Sequence, residues 1–115
     1  MDCGEGTYGQ LVRFFGPEEV DQILYKTQAI YVSHLHADHH LGFIGLLLGR
    51  RKALTRTNSN KVILFAPKQI SNWLTFYDEC FETIKDDYEL VPNQDLVCTI
   101  FHNYNIYCTF NYDYR

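Results

Sequence analysis

The sequence predicts an α/β layered fold with parallel strands, and three observations carry that expectation. Two runs rich in β-formers, residues 29–33 and 61–66, read as buried strands. Each is followed by apolar residues at helical spacing, so the order is strand, helix, strand, helix. Between the first strand and its helix stands a histidine cluster, residues 33–42, reading Ser-His-Leu-His-Ala-Asp-His-His-Leu-Gly. Ligand-bearing loops at strand ends are a natural product of such layering.

Taken in chain order, residues 1–9 are glycine-rich, with Gly4, Gly6 and Gly9 suiting a tight loop or a close backbone approach. Gly16-Pro17-Glu18-Glu19 marks a helix start, with proline at the first helical position and acids at the positive end of the dipole. Val20, Ile23 and Leu24 give that helix its apolar face. After the cluster, Leu41, Ile44, Leu47 and Leu48 recur at helical intervals, and Arg50, Arg51 and Lys52 fall in the last turn, where cations are favoured. Residues 55–60 form a polar loop, and Pro67 stops the second strand. Ile70, Trp73, Leu74, Tyr77, Phe81 and Ile84 mark one face of a long amphipathic helix, with Trp73, Tyr77 and Phe81 assigned to the core. Residues 96–115, rich in Tyr, Phe and Asn, have no helical period; they read either as a hairpin around residues 103–105 or as an unassigned tail.

The totals bound the function. A length of 115 residues holds one small domain, and 46% hydrophobic with 21% charged residues mark a globular chain. The longest apolar stretch, residues 41–48, is too short to span a bilayer. Residues 1–4 lack the basic and then apolar pattern of a signal peptide. A net charge of -4 excludes a global basic field, so any nucleic-acid contact is local. Its candidates are Arg50, Arg51 and Lys52, extended by Arg56 and Lys61; the simpler reading of the triplet is a solvated helix end. Cys3, Cys80, Cys98 and Cys108 form no Cys-x-x-Cys pair and read as buried or partly buried thiols.

The cluster itself carries metal chemistry. His34, His36, Asp38 and His39, with His40 a weaker candidate, are imidazole and carboxylate donors suited to zinc, with manganese or iron as alternatives. Side chains two apart on an extended segment share a face, so His34 and His36 can hold one ion. Asp38 and His39 follow where the chain turns and can face a second, which outlines half of a two-metal hydrolytic site.

The His-x-His-x-Asp-His pattern after a strand resembles the metallo-β-lactamase superfamily. Asp2-Cys3-Gly4-Glu5-Gly6-Thr7 with Gly9-Gln10-Leu11, and the Ala37 inside the metal motif, look like the tRNase Z (ribonuclease Z) family, closest to the C-terminal, catalytic half of its long eukaryotic form. The resemblance implies a partial, truncated metallo-β-lactamase fold (an αβ/βα sandwich) over residues 1–95. It implies a zinc-dependent endoribonuclease that removes 3′ trailers from precursor tRNA, with two zinc ions in a complete site and manganese as a substitute. By position His34 and His36 would bind the first zinc, Asp38 and His39 the second. Asp38 would also orient the attacking water or take its proton, Asp2 would support the ligands from behind, and Cys3 would pack there or serve as a soft ligand. The family also uses two further histidines and a bridging aspartate downstream, whereas beyond His40 the chain's one histidine is His102. A fragment is therefore expected, inactive by itself, completed by a partner half or by self-association. Nucleus and mitochondrion are the compartments the resemblance implies. Two alternatives are a thioester or lactamase-like hydrolase, disfavoured by the glycine loop, and a non-catalytic truncated product.

Overall fold

In the computed structural model, which describes residues 1–54 and 60–95, the sheet is built on residues 62–66. Strand β2 (Val62–Ala66) lies between β1 (Ala29–Tyr31) and β3 (Tyr88–Pro92), and both pairings are parallel. Ile30 sits opposite Leu64, and Leu64 opposite Leu90. Central placement explains the composition of β2: Val62, Leu64 and Ala66 are fully buried, with Ile63 and Phe65 half-buried on the other face. The parallel order expected from the alternation of strands and helices holds.

Among the described residues there are five α-helices, α1 (Thr7–Phe15), α2 (Pro17–Lys26), the single turn α3 (Ala37–His40), α4 (Phe43–Ala53) and α5 (Ile70–Cys80), and a 3-10 turn at Asn93–Asp95. Helix α2 starts as read, with Pro17 in its first turn and Glu18 and Glu19 beside it. It buries Val20 and Leu24, while Ile23 stays half-buried. Helix α4 is apolar around most of its girth, burying Phe43, Ile44, Leu46 and Leu47, and so runs inside the layer that α1 and α2 cover. The core joins these residues to Cys3, Val32, the inward side of β2, Ile70, Leu74 and Ile84.

Several expectations are corrected. The glycine loop gives way to helix α1 from Thr7, with Tyr8, Leu11 and Val12 packed against the core. Strand β1 is shorter than residues 29–33, although the Val32 amide still donates to the Phe65 carbonyl at 2.7 Å. Leu41 lies outside α4 and is exposed. Helix α5 stops at Cys80, because the Asp78 carboxylate accepts from the amides of Ile84 and Lys85 and folds the chain back. Ile84 reaches the core from that turn, whereas Phe81 is 70% exposed and stacks on Tyr77. Trp73 and Tyr77 are half-buried against the core. Strand β3 was not foreseen. Cys80 is exposed rather than buried. The tail hairpin and His102, like most of the polar loop at residues 55–60, lie outside the described residues.

The two arginines of the basic triplet are not a solvated helix end. Arg50 is 5% exposed and donates to the carbonyls of Thr27 at 3.0 Å and Asn60 at 2.8 Å. Arg51 donates to Glu82 at 2.6 Å, to Asp87 and to the Thr83 carbonyl, clamping the end of α4 to the turn before β3. Lys52 is exposed. Among the described residues, no helix is long and apolar enough to cross a membrane.

Candidate metal centre

The site begins with two loops zipped together at the end of β1. The Asp2 amide donates to the Tyr31 carbonyl (2.7 Å), the Cys3 amide to His39 (2.8 Å), and the Gly42 amide to Cys3 (2.9 Å). This pairing leaves no room for side chains at two positions. A Cβ on Gly4 would stand 2.1 Å from the Asp38 carbonyl oxygen, and one on Gly42 would stand 2.0 Å from that of Gly4. Glycine is required there by backbone approach, the second of the two reasons offered by the sequence. Cys3 is buried between the loops, and burial pushes its thiol up to about 11. It therefore packs as a neutral, apolar group instead of presenting a thiolate.

Asp2 takes a left-handed backbone conformation (φ 47°), which short polar residues tolerate. That turn points its carboxylate under the histidine cluster. Oδ1 accepts from the Ser33 amide at 2.7 Å, and Oδ2 accepts from the Ser33 hydroxyl at 3.0 Å. His39 Nδ1 lies 3.0 Å from the same Oδ2, a close charge contact whose alignment falls short of a regular hydrogen bond. Burial alone would raise the Asp2 pKa. The bonds from Ser33 and the His39 contact outweigh it and hold the carboxyl at about 2.

Above this floor the predicted donors come together. His34 Nε2 and His36 Nδ1 face each other at 2.9 Å, with His34 Nδ1 turned back to Ser33 Oγ at 2.8 Å. His39 Nε2 faces Asp38 Oδ2 at 3.4 Å, and the rings of His34 and His39 lie 4.0 Å apart, centroid to centroid. Two ligand atoms about 2.0 Å from one tetrahedral zinc would be separated by roughly 3.3 Å. The second pair matches that separation, and the first must open by less than about half an ångström. The donor set thus fits zinc as two facing pairs. Among the described residues, no group of three or more His, Cys, Asp and Glu side chains is placed to hold one metal ion, so each pair offers two donors and no third.

His40 stands apart: its Nδ1 meets the His36 carbonyl oxygen at 2.9 Å, and its ring sits edge-on to Trp73 at 5.0 Å. Arg50 and Arg51 are directed to internal partners, as described above. Sequence reasoning missed Ser33, which links Asp2 to His34, and Asn93, whose amide donates to the carbonyls of Val32 and Ser33 at 3.2 and 3.4 Å. The only signal for Ser33 was its place beside the first histidine; Asn93 gave none, since β3 had to be found first.

The chain is similar in sequence to known proteins, among them three with the following names. "Ribonuclease Z, mitochondrial" of Drosophila melanogaster is 54% identical over 99 residues, 86% of this chain and 13% of that protein. "Zinc phosphodiesterase ELAC protein 2" of Homo sapiens is 42% identical over 87 residues, 73% of this chain and 10% of that protein. "tRNAse Z TRZ4, mitochondrial" of Arabidopsis thaliana is 40% identical over 77 residues, 67% of this chain and 8% of that protein. Among solved structures, a long form RNase Z from yeast superposes with a TM-score of 0.72 at 29% identity, over 79% of this chain and 12% of that one. No family model matches the chain. It spans about an eighth of the length of the fly relative.

Proposed function

This chain belongs to the ribonuclease Z family, of which it spans one segment, and on that premise we propose that it carries the ligand-bearing half of a tRNA 3′-processing centre. The observation that supports this reading best is the pair of facing donor sets, His34 with His36 and Asp38 with His39. In the parent protein these four would hold two zinc ions, with manganese as the substitute. The remaining ligands would come from a partner segment of the same protein or from a second copy. Bound zinc supplies a Lewis acid for the phosphoryl oxygens and a water of lowered pKa.

The chain's own residues do the rest. Asp38, its side chain 80% exposed, is the carboxylate open to solvent and can orient water and accept its proton. Asp2 lies below, engaged by Ser33 and His39, and holds the ligands from behind while remaining ionised. Glycines 4 and 42 allow the loops to meet, which sets the height of the cluster over Asp2. Arg50 and Arg51 hold internal partners, which takes them out of the phosphate contact expected of the basic triplet. The substrate is precursor tRNA and the compartment the mitochondrion, following the names of the fly and Arabidopsis relatives; a nuclear pool is a further expectation.

The test is cleavage of a precursor tRNA bearing a 3′ trailer. The 115 residues alone should leave it intact. A protein extended to the length of the relatives should remove the trailer and lose at least about 100-fold in rate on Asp38→Ala. Full activity of the Asp38→Ala form would contradict the assignment.

A further inference from the structure

We propose that Ser33 is a positioning residue that fixes the tautomer of His34 by relaying the Asp2 carboxylate to it. The proton count supports this. An ionised carboxylate only accepts, so the Ser33 hydroxyl spends its single proton on Asp2 Oδ2, 3.0 Å away. The same hydroxyl oxygen lies 2.8 Å from His34 Nδ1 and has no second proton to give. The hydrogen in that contact therefore belongs to His34, which is Nδ1–H, and its lone pair stands on Nε2. That is the nitrogen facing His36 Nδ1 at 2.9 Å. Which imidazole nitrogen is free to ligate is set by the bond made by the other.

Asp2 Oδ2 also meets His39 Nδ1 at 3.0 Å, leaving Nε2 of that ring toward Asp38. A single carboxylate oxygen thus reaches one histidine of each donor pair, His39 by a close contact short of a regular hydrogen bond and His34 through Ser33. His36 has no such support: between its Nδ1 and the His34 lone pair, the shared hydrogen must be carried by His36. The relay predicts an asymmetric cluster, with His34 preset for metal and His36 obliged to change tautomer on binding.

This inference rests on the ligand reading above only for its purpose; the tautomer itself is a property of the metal-free chain. The experiment is a long-range proton–nitrogen correlation spectrum of the ¹⁵N-labelled 115-residue chain in chelator, at a pH where its imidazoles are neutral, for wild type, Ser33→Ala and Ser33→Thr. Ser33→Ala keeps the backbone amide that donates to Asp2 Oδ1, so the loop retains its main tether. Wild type and Ser33→Thr should show His34 as Nδ1–H, and Ser33→Ala should move it toward Nε2–H with His39 unchanged. Zinc affinity, read by calorimetry with zinc alone, should fall about tenfold in Ser33→Ala and recover in Ser33→Thr. An Nε2–H His34 in the wild-type chain overturns the relay, as does an unchanged Nδ1–H signal in Ser33→Ala. Should Ser33→Ala fail to fold, the wild-type spectrum decides alone. The wild-type pattern without any zinc affinity upholds the relay and overturns the ligand reading instead.

Discussion

The proposed site rests on two glycines and four candidate donors, and the close backbone approach at the glycines has the larger effect on stability. Gly4→Ala and Gly42→Ala each drive a methyl group into a carbonyl oxygen about 2 Å away, with backbone on both sides and no flexible side chain to yield. Each should cost about 3 kcal/mol or more in urea denaturation. Gly9→Ala is the control: it lies inside α1 with open space around it and should stabilise by about 0.5–1 kcal/mol. Equal effects at Gly4 and Gly9 would mean that the loops do not meet as described. For the donors, His36→Ala should weaken zinc binding about tenfold or more in a calorimetric titration. His40→Ala should leave it unchanged, since that ring belongs to Trp73. At this scale the sequence was readable where local spacing decides, as in bringing His34, His36, Asp38 and His39 into one cluster. Ser33 was not readable, because its role depends on Asp2, thirty-one positions away in the chain.

Among elements, the turn after α5 and the end of α4 are held by side chains more than by apolar pattern. The Asp78 carboxylate is held below its ordinary value of 3.8 by the amides of Ile84 and Lys85. A folded-state value below the unfolded one adds stability above the ordinary value, and that stability is lost as pH falls through the folded one. Asp78→Ala should therefore lower the melting temperature near neutrality, with the gap to wild type closing as the pH is taken well below 3.8. A gap that widens on acidification would contradict the capping role. Arg50→Ala leaves the carbonyls of Thr27 and Asn60 without their donor in a buried setting and should cost about 2–3 kcal/mol. Arg51→Ala, at a 34% exposed side chain screened by solvent, should cost about 1 kcal/mol. The period of Ile70, Leu74 and Tyr77 identified α5 correctly but carried it too far. Ile84 continues the apolar count by coming back from a turn that only the Asp78 bonds define. Helix α1 has a readable period in Tyr8, Leu11 and Val12, masked by the loop-like run of glycines at Gly4, Gly6 and Gly9.

Across the molecule, the parallel sheet and the path of the site loop over β1 follow from the order of elements, which is why the α/β class was legible. What was not legible is which apolar residues stay outside. Phe14 is 83% exposed and Phe76 57%, and with Phe81 they give this chain apolar surface that no described residue covers. The proposed metal site has the same incompleteness, with two donors in each pair and no third in place among the described residues. The central claim is that His34, His36, Asp38 and His39 are one side of a two-zinc centre, and a zinc titration of the purified 115-residue chain tests it most directly. Weak binding, in the micromolar range or weaker and abolished when all four residues are replaced by alanine, is the predicted result. Two zinc ions that survive dialysis against chelator, or binding that persists without those four side chains, would contradict it.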